Sequence, residues 1–245
     1  MTSSGSRPQR AWEQVVAWVE DRVLDGRLVR GATLPAERDL AQQLGVSRAA
    51  VREGVRTLQA SGVLRSAVGA GTAGGTTISG VPDEALTRLL SLHVALANFP
   101  PYDVTQARVA LERASVGLAA VHASPEQRTA MRAALAAMDD DELSMADFNL
   151  HDTVFHVEIA RAAGNRLVTD LTVAIRESMR RPILAGLEAL DDWLPARDAL
   201  RHEHHAIMTA IEEHRGEDAA DLMQAHIWSA FERMPSLHPN PAKRH

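Results

Sequence analysis

Between Pro35 and Leu58 the chain carries two helical runs interrupted by Gly45 and Ser47, and that interruption constrains the fold more than any other feature. Leu40, Ala41 and Leu44 fall on one face of the first run at the 3.6-residue period. Gly45 ends it, because a left-handed backbone costs glycine little. Ser47 stands where an N-cap belongs, so a second helix is expected behind it. Two short helices joined by a tight glycine-containing turn make a helix-turn-helix. In the second run Val51, Val55 and Leu58 form an apolar stripe for packing, while Arg48, Arg52 and Arg56 line an adjacent one. Ser47, Ala49 and Ala50 are small enough to let the backbone approach a groove. Guanidinium forks suit phosphates and the acceptor edge of guanine, so this helix is expected to read duplex DNA. Three arginines at helical spacing also describe an ordinary solvated face, and the spacing alone does not separate the two.

The residues that follow favour the DNA reading. Gly62-Val63-Leu64 and a polar, glycine-rich stretch from Ser66 to Ser79 supply what a two-stranded wing needs. Short extended segments would flank a flexible tip that can lie along a groove. With these pieces in place, LPAERDLAQQLGVSRAAVREGVRTLQASGVL resembles the winged-helix domain of GntR-type transcriptional regulators. The resemblance implies that the arginine of the Glu-Arg pair, the start of the recognition helix and the wing tip contact bases and phosphates. By position these are Arg38, Ser47, Arg48, Ala49, Arg52 and Gly69. Gly54 departs from the alanine usual in mid-helix, at a cost of about 1 kcal/mol in helix propensity. The wing, from Gly69 to Gly75, is also richer in glycine than the family pattern.

A chain of 245 residues with 45% hydrophobic content can build one large core or two smaller ones. It has no cysteine, which excludes disulfides and thiolate metal sites. No apolar run approaches the length of a membrane span, and MTSSGSRPQR lacks the apolar core of a signal peptide. A cytoplasmic protein with no membrane contact is expected. The net charge of -6 argues against DNA binding, but it is unevenly shared. Residues 1–80 hold ten arginines and seven acidic residues, a balance of +3, whereas residues 81–245 hold 16 basic and 25 acidic residues, a balance of -9. DNA affinity would then rest on local contacts and be sensitive to salt.

In chain order, residues 1–10 read as a disordered arm and Ala11 to Asp25 as an amphipathic helix ended by Gly26. Trp12, Val15, Val16, Val19 and Val23 form its expected inner face. The winged helix-turn-helix domain spans 11–79, and 80–83 reads as a linker because Gly80 and Pro82 continue neither strand nor helix. Helical periodicity then recurs at about 84–97, 103–123, 125–139, 144–163, 166–190, 196–214 and 217–233. Pro182 lies inside the fifth of these and is expected to kink or split it. The expected fold class is mainly α: a winged N-terminal domain with a small β wing, then an antiparallel bundle of six or seven helices over 84–234. A flexible tail, 235–245, closes the chain.

Four residues of the expected bundle share a property. Asp152 and His156 are four apart on one helical face, in line with Asn149 and Ala160. His204 alone of the cluster His202, His204 and His205 aligns with the stripe Leu200, Ile207 and Ile211, and His226 falls beside Leu222, Met223 and Ala230. One carboxylate and three imidazoles would thus face the interior, where polar groups need partners. A divalent metal would satisfy all four, with zinc foremost and nickel, manganese or iron as alternatives. Separate hydrogen bonds, or an ordinary Asp152–His156 ion pair, would satisfy them too. His93, His122, His151, His202, His205, His214, His238 and His245 are read as ordinary histidines.

A second resemblance follows. DTVFHVEIARAAGNRL is similar to the Asp-x-x-x-His segment of the FCD effector domain, which follows the winged helix in the FadR branch of the same family. HHAIMTAI and AADLMQAHI resemble its two later histidine segments. The resemblance implies that residues 84–234 bind an effector and dimerise, with Asp152, His156, His204 and His226 holding a metal that carboxylate metabolites coordinate. ARVALERASVGLAA is similar to an early Arg-x-x-x-Glu segment, so Arg108 is a candidate for the effector's acid group. An Arg108–Glu112 structural ion pair is the competing reading. Together these imply a homodimeric repressor on a palindromic double-stranded operator, not an enzyme, controlled by a small carboxylate effector. Two alternatives stay open: a sensor of the metal ion itself, and a metal-dependent enzyme fused to a DNA-binding domain.

Overall fold

The computed structural model describes residues 10–66, 75–79 and 83–238. It divides into two compact units, Met1–Leu86 and Thr87–His245. The first holds α1 (Ala11–Leu24), α2 (Glu37–Leu44), α3 (Arg48–Ala60) and the strands β1 (Leu64–Ser66) and β2 (Thr76–Ile78). Gly45 adopts φ 66° at the end of α2, and the Ser47 hydroxyl accepts from the Ala50 amide at 3.1 Å to start α3. The two strands pair antiparallel with Leu64 opposite Ile78. The Gln59 amide donates to Ser66 at 2.9 Å, which ties the wing to α3. Val15, Val19, Leu40, Val51, Val55, Leu58, Leu64 and Ile78 make this unit's core.

Three expectations change here. Val23, expected inside, is exposed near the end of α1. Ala50, expected to face a groove, is buried beside Val51. Gly54 proves to be a packing position as well as a propensity cost. A Cβ there would lie 2.8 Å from Val15 Cβ and 3.0 Å from the Trp12 carbonyl, so α1 and α3 approach closely only because it is glycine.

Seven helices follow: α4 (Asp83–Ala95), α5 (Pro101–His122), α6 (Pro125–Met138), α7 (Met145–Ala162), α8 (Arg166–Glu188), α9 (Leu194–Glu212) and α10 (Gly216–Arg233). Their starts are written locally. Ser124 and Gln127 form a reciprocal capping box, Ser144 caps α7 and Asn165 caps α8 through their side-chain oxygens. The molecule is mainly α, with a two-stranded wing, as the periodicity predicts. α5 packs on α10 and α7, while α6 and α8 both lie against α7. Phe148, Phe155, Met131, Met138, Ile159, Ile207, Ile211 and Met223 fill the core between them.

Pro182 does not split α8, which runs unbroken from Arg166 to Glu188. Burial of Met179, Ile183 and Leu187 around it offsets the lost backbone hydrogen bond. The segment expected as the start of a flexible tail is also ordered: Pro235–Leu237 form a 3-10 turn and Leu237 is buried in the core. Among the described residues no helix is long and apolar enough to cross a membrane.

Candidate functional site

The start of α3 and the residue before it present Ser47, Arg48, Ala49 and Arg52 to solvent, and Arg38 is exposed on α2. Arg52 reaches Glu37 at 3.7 Å and Arg38 reaches Asp39 at 3.1 Å, both as exposed pairs that hold a side chain weakly. The Ser47 oxygen is engaged as an N-cap acceptor, which leaves its hydroxyl proton free to donate. Gly69 lies outside the described residues.

In the helical unit Asp152 and His156 of α7, His204 of α9 and His226 of α10 converge, with ligand atoms all within 4.8 Å of one another. All four side chains are buried. His204 Nε2 lies 3.0 Å from Asp152 Oδ1, at an angle that makes no hydrogen bond, and His156 Nε2 lies 3.7 Å from the same oxygen. Both ring nitrogens of His204 and the Nε2 of His156 lack a hydrogen-bond partner among the described residues. Buried polar atoms left in this state are costly unless something binds them. A divalent cation fits: it would take the lone pairs that converge there, and imidazole with carboxylate is a suitable donor set.

The protonation states suit that role. Burial and the nearby Arg176 guanidinium push His156 down to about 3. Burial and His204 push His226 down to about 4. Both rings are therefore neutral at physiological pH, as metal ligands must be. Burial opposes a charged Asp152, but the Arg176 guanidinium outweighs it and holds that carboxyl well below its usual range. The outer partners fix the tautomers. Glu112 Oε2 accepts from His156 Nδ1, and Glu203 Oε2 accepts from His226 Nδ1 at 2.8 Å, so each ring keeps Nε2 for the centre.

Sequence reasoning missed three of these contributors. Arg176, buried on α8, donates to Asp152 Oδ2. It shares a stripe with Thr172, Met179 and Ile183, and that spacing was the signal available. Glu112 was paired with Arg108 alone. It does bond Arg108 Nε at 3.0 Å, but through Oε1, while its other oxygen holds His156. Glu203 accepts from His226, Ser229 and Arg233 and carries no periodic mark of its own. Arg108 both makes the structural ion pair and faces a cavity of about 20 Å³. Asn149, Asp152, Arg176 and His226 line the polar part of that cavity, and Ile183, Leu187, Leu200 and Met234 its apolar part. Of the other histidines, His205 pairs with Asp139 at the surface and His214 bonds the Ala120 carbonyl.

Comparison with known proteins identifies the family of both units. The FCD domain matches residues 103–228, and the gntR family of bacterial regulatory proteins matches residues 11–73. The chain is 30% identical over 227 residues to an Escherichia coli (strain K12) protein named for regulation of the L-lactate dehydrogenase operon, covering 90% of this chain and 84% of that one. It is 27% identical to the Uxu operon transcriptional regulator of the same organism, covering 94% and 89%. The solved structure of a Streptococcus agalactiae GntR protein superposes with a TM-score of 0.54 at 26% identity, over 89% of this chain and 98% of that one. The chain thus belongs to the GntR family of bacterial regulatory proteins, DNA-binding regulators of transcription, and carries an FCD domain.

Proposed function

We propose that this regulator is a cytoplasmic homodimer of the FadR branch whose grip on a palindromic operator is set by a small organic acid bound beside a metal in the helical unit. In this reading 11–79 form the DNA-binding domain, 80–83 the linker and 84–234 the effector-binding and dimerising domain. Arg38, Ser47, Arg48, Ala49, Arg52 and Gly69 would contact DNA, and Asp152, His156, His204 and His226 would hold the ion. The observation that carries the effector half is the buried cluster of Asp152, His156, His204 and His226, two of whose members, Asp152 and His226, line a cavity together with Arg108 and Arg176. Zinc is the proposed ion, because it accepts three imidazoles and a carboxylate. When bound it would offer a Lewis-acidic position to a carboxylate oxygen, and the two guanidinium groups would bind and orient the rest of the acid group. The relative named for an L-lactate dehydrogenase operon supports a small acid as the ligand.

Control requires that the ligand prefer either the DNA-competent or the DNA-incompetent arrangement. Repression rests on the family resemblance, and a relative named as the Glc operon transcriptional activator shows that the sign has to be measured. The test is selection of bound genomic fragments, followed by operator binding and reporter transcription with metal and a panel of organic acids. No sequence preference over random duplex, in any of those conditions, would end the proposal.

One observation favours a second reading. A cavity of about 20 Å³ has room for a water and not for an acid, as a sensor of the ion alone would require. That sensor would answer to metal and ignore organic acids. An enzyme is disfavoured, since Glu112 and Glu203, the two further carboxylates touching the ligand histidines, are committed to their rings.

A further inference from the structure

The small cavity beside the cluster ends on a thioether that stands just past the end of a helix. His226, Ala230 and Met234 follow one another at four-residue spacing, so the face of α10 that offers His226 to the cluster carries on to Met234, its C-cap residue. All three line the cavity, together with Asp152. Met234 seats on α8 at Gly186, where a Cβ would lie 2.8 Å from its Sδ and 3.1 Å from its Cβ. A glycine in the body of α8 costs helix propensity, and the close approach of Met234 is what it permits. With that seat filled the cavity is about 20 Å³, room for one water.

Apolar contact alone holds Met234 there. The turn Pro235–Leu237 packs on α8 and α10, with Met234 and Leu237 as the buried side chains of the segment. Among the described residues, every hydrogen bond of this segment closes locally. The Met234 amide donates to the Phe231 carbonyl at 3.1 Å, Leu237 to Met234 at 2.9 Å and His238 to Pro235 at 3.0 Å, while His238 Nε2 donates to the Phe231 carbonyl at 3.1 Å. The segment can therefore swing off α8 without breaking a hydrogen bond, opposed only by the burial of two side chains. Such segments are the first to open in a folded domain.

We propose that Met234 is a removable stopper and the turn behind it a strap: the metal ion reaches Asp152 and His226 through this cavity when Met234 leaves its seat on Gly186. The inference rests on the metal reading above and adds how the buried cluster is reached. Anything larger than a water that enters the cavity has to displace the same side chain, because the other apolar walls, Ile183, Leu187 and Leu200, belong to the bodies of α8 and α9. An unbranched thioether suits the part, since it fills an irregular gap and changes rotamer at little cost.

The test has two arms. In the wild-type chain, dilute hydrogen peroxide oxidises each methionine sulfur as it becomes accessible, and peptide mass spectrometry follows the sulfoxide. Met208 in the middle of α9 is buried to the same 3% as Met234 and serves as the internal control. Met234 should oxidise at least about tenfold faster than Met208. Equal rates would mean that the strap stays shut, and would overturn the inference whether or not metal binds. The second arm follows zinc on the full chain, added as the free ion and withdrawn by a chromogenic chelator in stopped flow. Met234→Ala should speed capture and release alike by at least about tenfold, with the dissociation constant within about threefold of wild type, because a gate changes rates and leaves the end states alone. Gly186→Ala crowds the seat from the α8 side and should act in the same direction, so it decides if Met234→Ala does not fold. Unchanged rates in both variants would overturn the inference. So would a loss of affinity with unchanged capture, Met234 then being packing for the cluster. If the wild type held no zinc while Met234 still oxidised fast, the metal reading would fall, and the gating role with it.

Discussion

At the level of single residues, Gly54 shows how two physical terms compete at one position. Alanine there would gain about 1 kcal/mol of helix propensity. Its Cβ would meet Val15 Cβ at 2.8 Å and the Trp12 carbonyl at 3.0 Å, contacts that a packed interface relieves only by moving a helix. Overpacking of this kind costs about 1–3 kcal/mol, so the clash should win and Gly54→Ala should destabilise the N-terminal unit by about 1–2 kcal/mol. Urea unfolding of the full chain followed through the tryptophans of α1 measures it, and a variant more stable than wild type would contradict the packing account. Adding Val15→Ala removes only the Cγ1 contact at 2.9 Å and keeps those with the Cβ and the Trp12 carbonyl, so it should not restore wild-type stability. Arg52, by contrast, is exposed and tied only to Glu37 at 3.7 Å. Arg52→Ala should leave stability within about 0.5 kcal/mol and weaken operator binding by about 1–3 kcal/mol if it reads a base. Unchanged operator affinity would take Arg52 out of the interface. The two positions also mark what was legible. Arg52 could be placed from its stripe, whereas the reason for Gly54 lies on another helix, in Val15 and Trp12, which periodicity within α3 does not reach.

Among elements, α7, α9 and α10 matter because each contributes to one buried cluster, and the histidines of α7 and α10 arrive with outer carboxylate partners while His204 of α9 does not. The inward histidines were legible, since apolar stripes at 3.6-residue spacing say which way His156, His204 and His226 point. What faces them across the bundle was not. Glu112 is 44 residues from His156, Arg176 is 24 from Asp152 and Glu203 is 23 from His226, and such pairings depend on how helices pack. The same limit explains the intact α8, where neighbours stabilise a helix that local rules for Pro182 would break. These partners give a graded prediction. His204→Ala and His226→Ala each remove a proposed ligand and should lower bound zinc, by elemental analysis, well below one per chain. Glu203→Gln keeps the shape and weakens only the orientation of His226, so stoichiometry should hold at saturating metal while affinity falls about 10–100-fold. Identical zinc affinity in Glu203→Gln and wild type would show that this carboxylate serves only its bonds to Ser229 and Arg233.

Across the whole molecule the charge is divided against the task. The first 80 residues carry +3 and the rest -9, for a total of -6, so the chain as a body repels DNA and a few arginines must overcome that. If each of two copies places Arg38, Arg48 and Arg52 on phosphates or base edges, about six charges are neutralised. Operator affinity should then fall about a thousandfold between 50 and 200 mM salt. The acidic helical units act the other way, because salt also screens their repulsion. The intact protein should therefore show a somewhat shallower slope than the arginines alone dictate. Titrating operator binding across that salt range, with wild type and Arg52→Ala side by side, separates the contributions. Loss of a phosphate contact lowers the slope by about one per copy and weakens every sequence alike, whereas loss of a base contact leaves the slope and relaxes specificity at one position. A wild-type affinity indifferent to salt would mean that the exposed arginines of α2 and α3 do not face the DNA backbone at all.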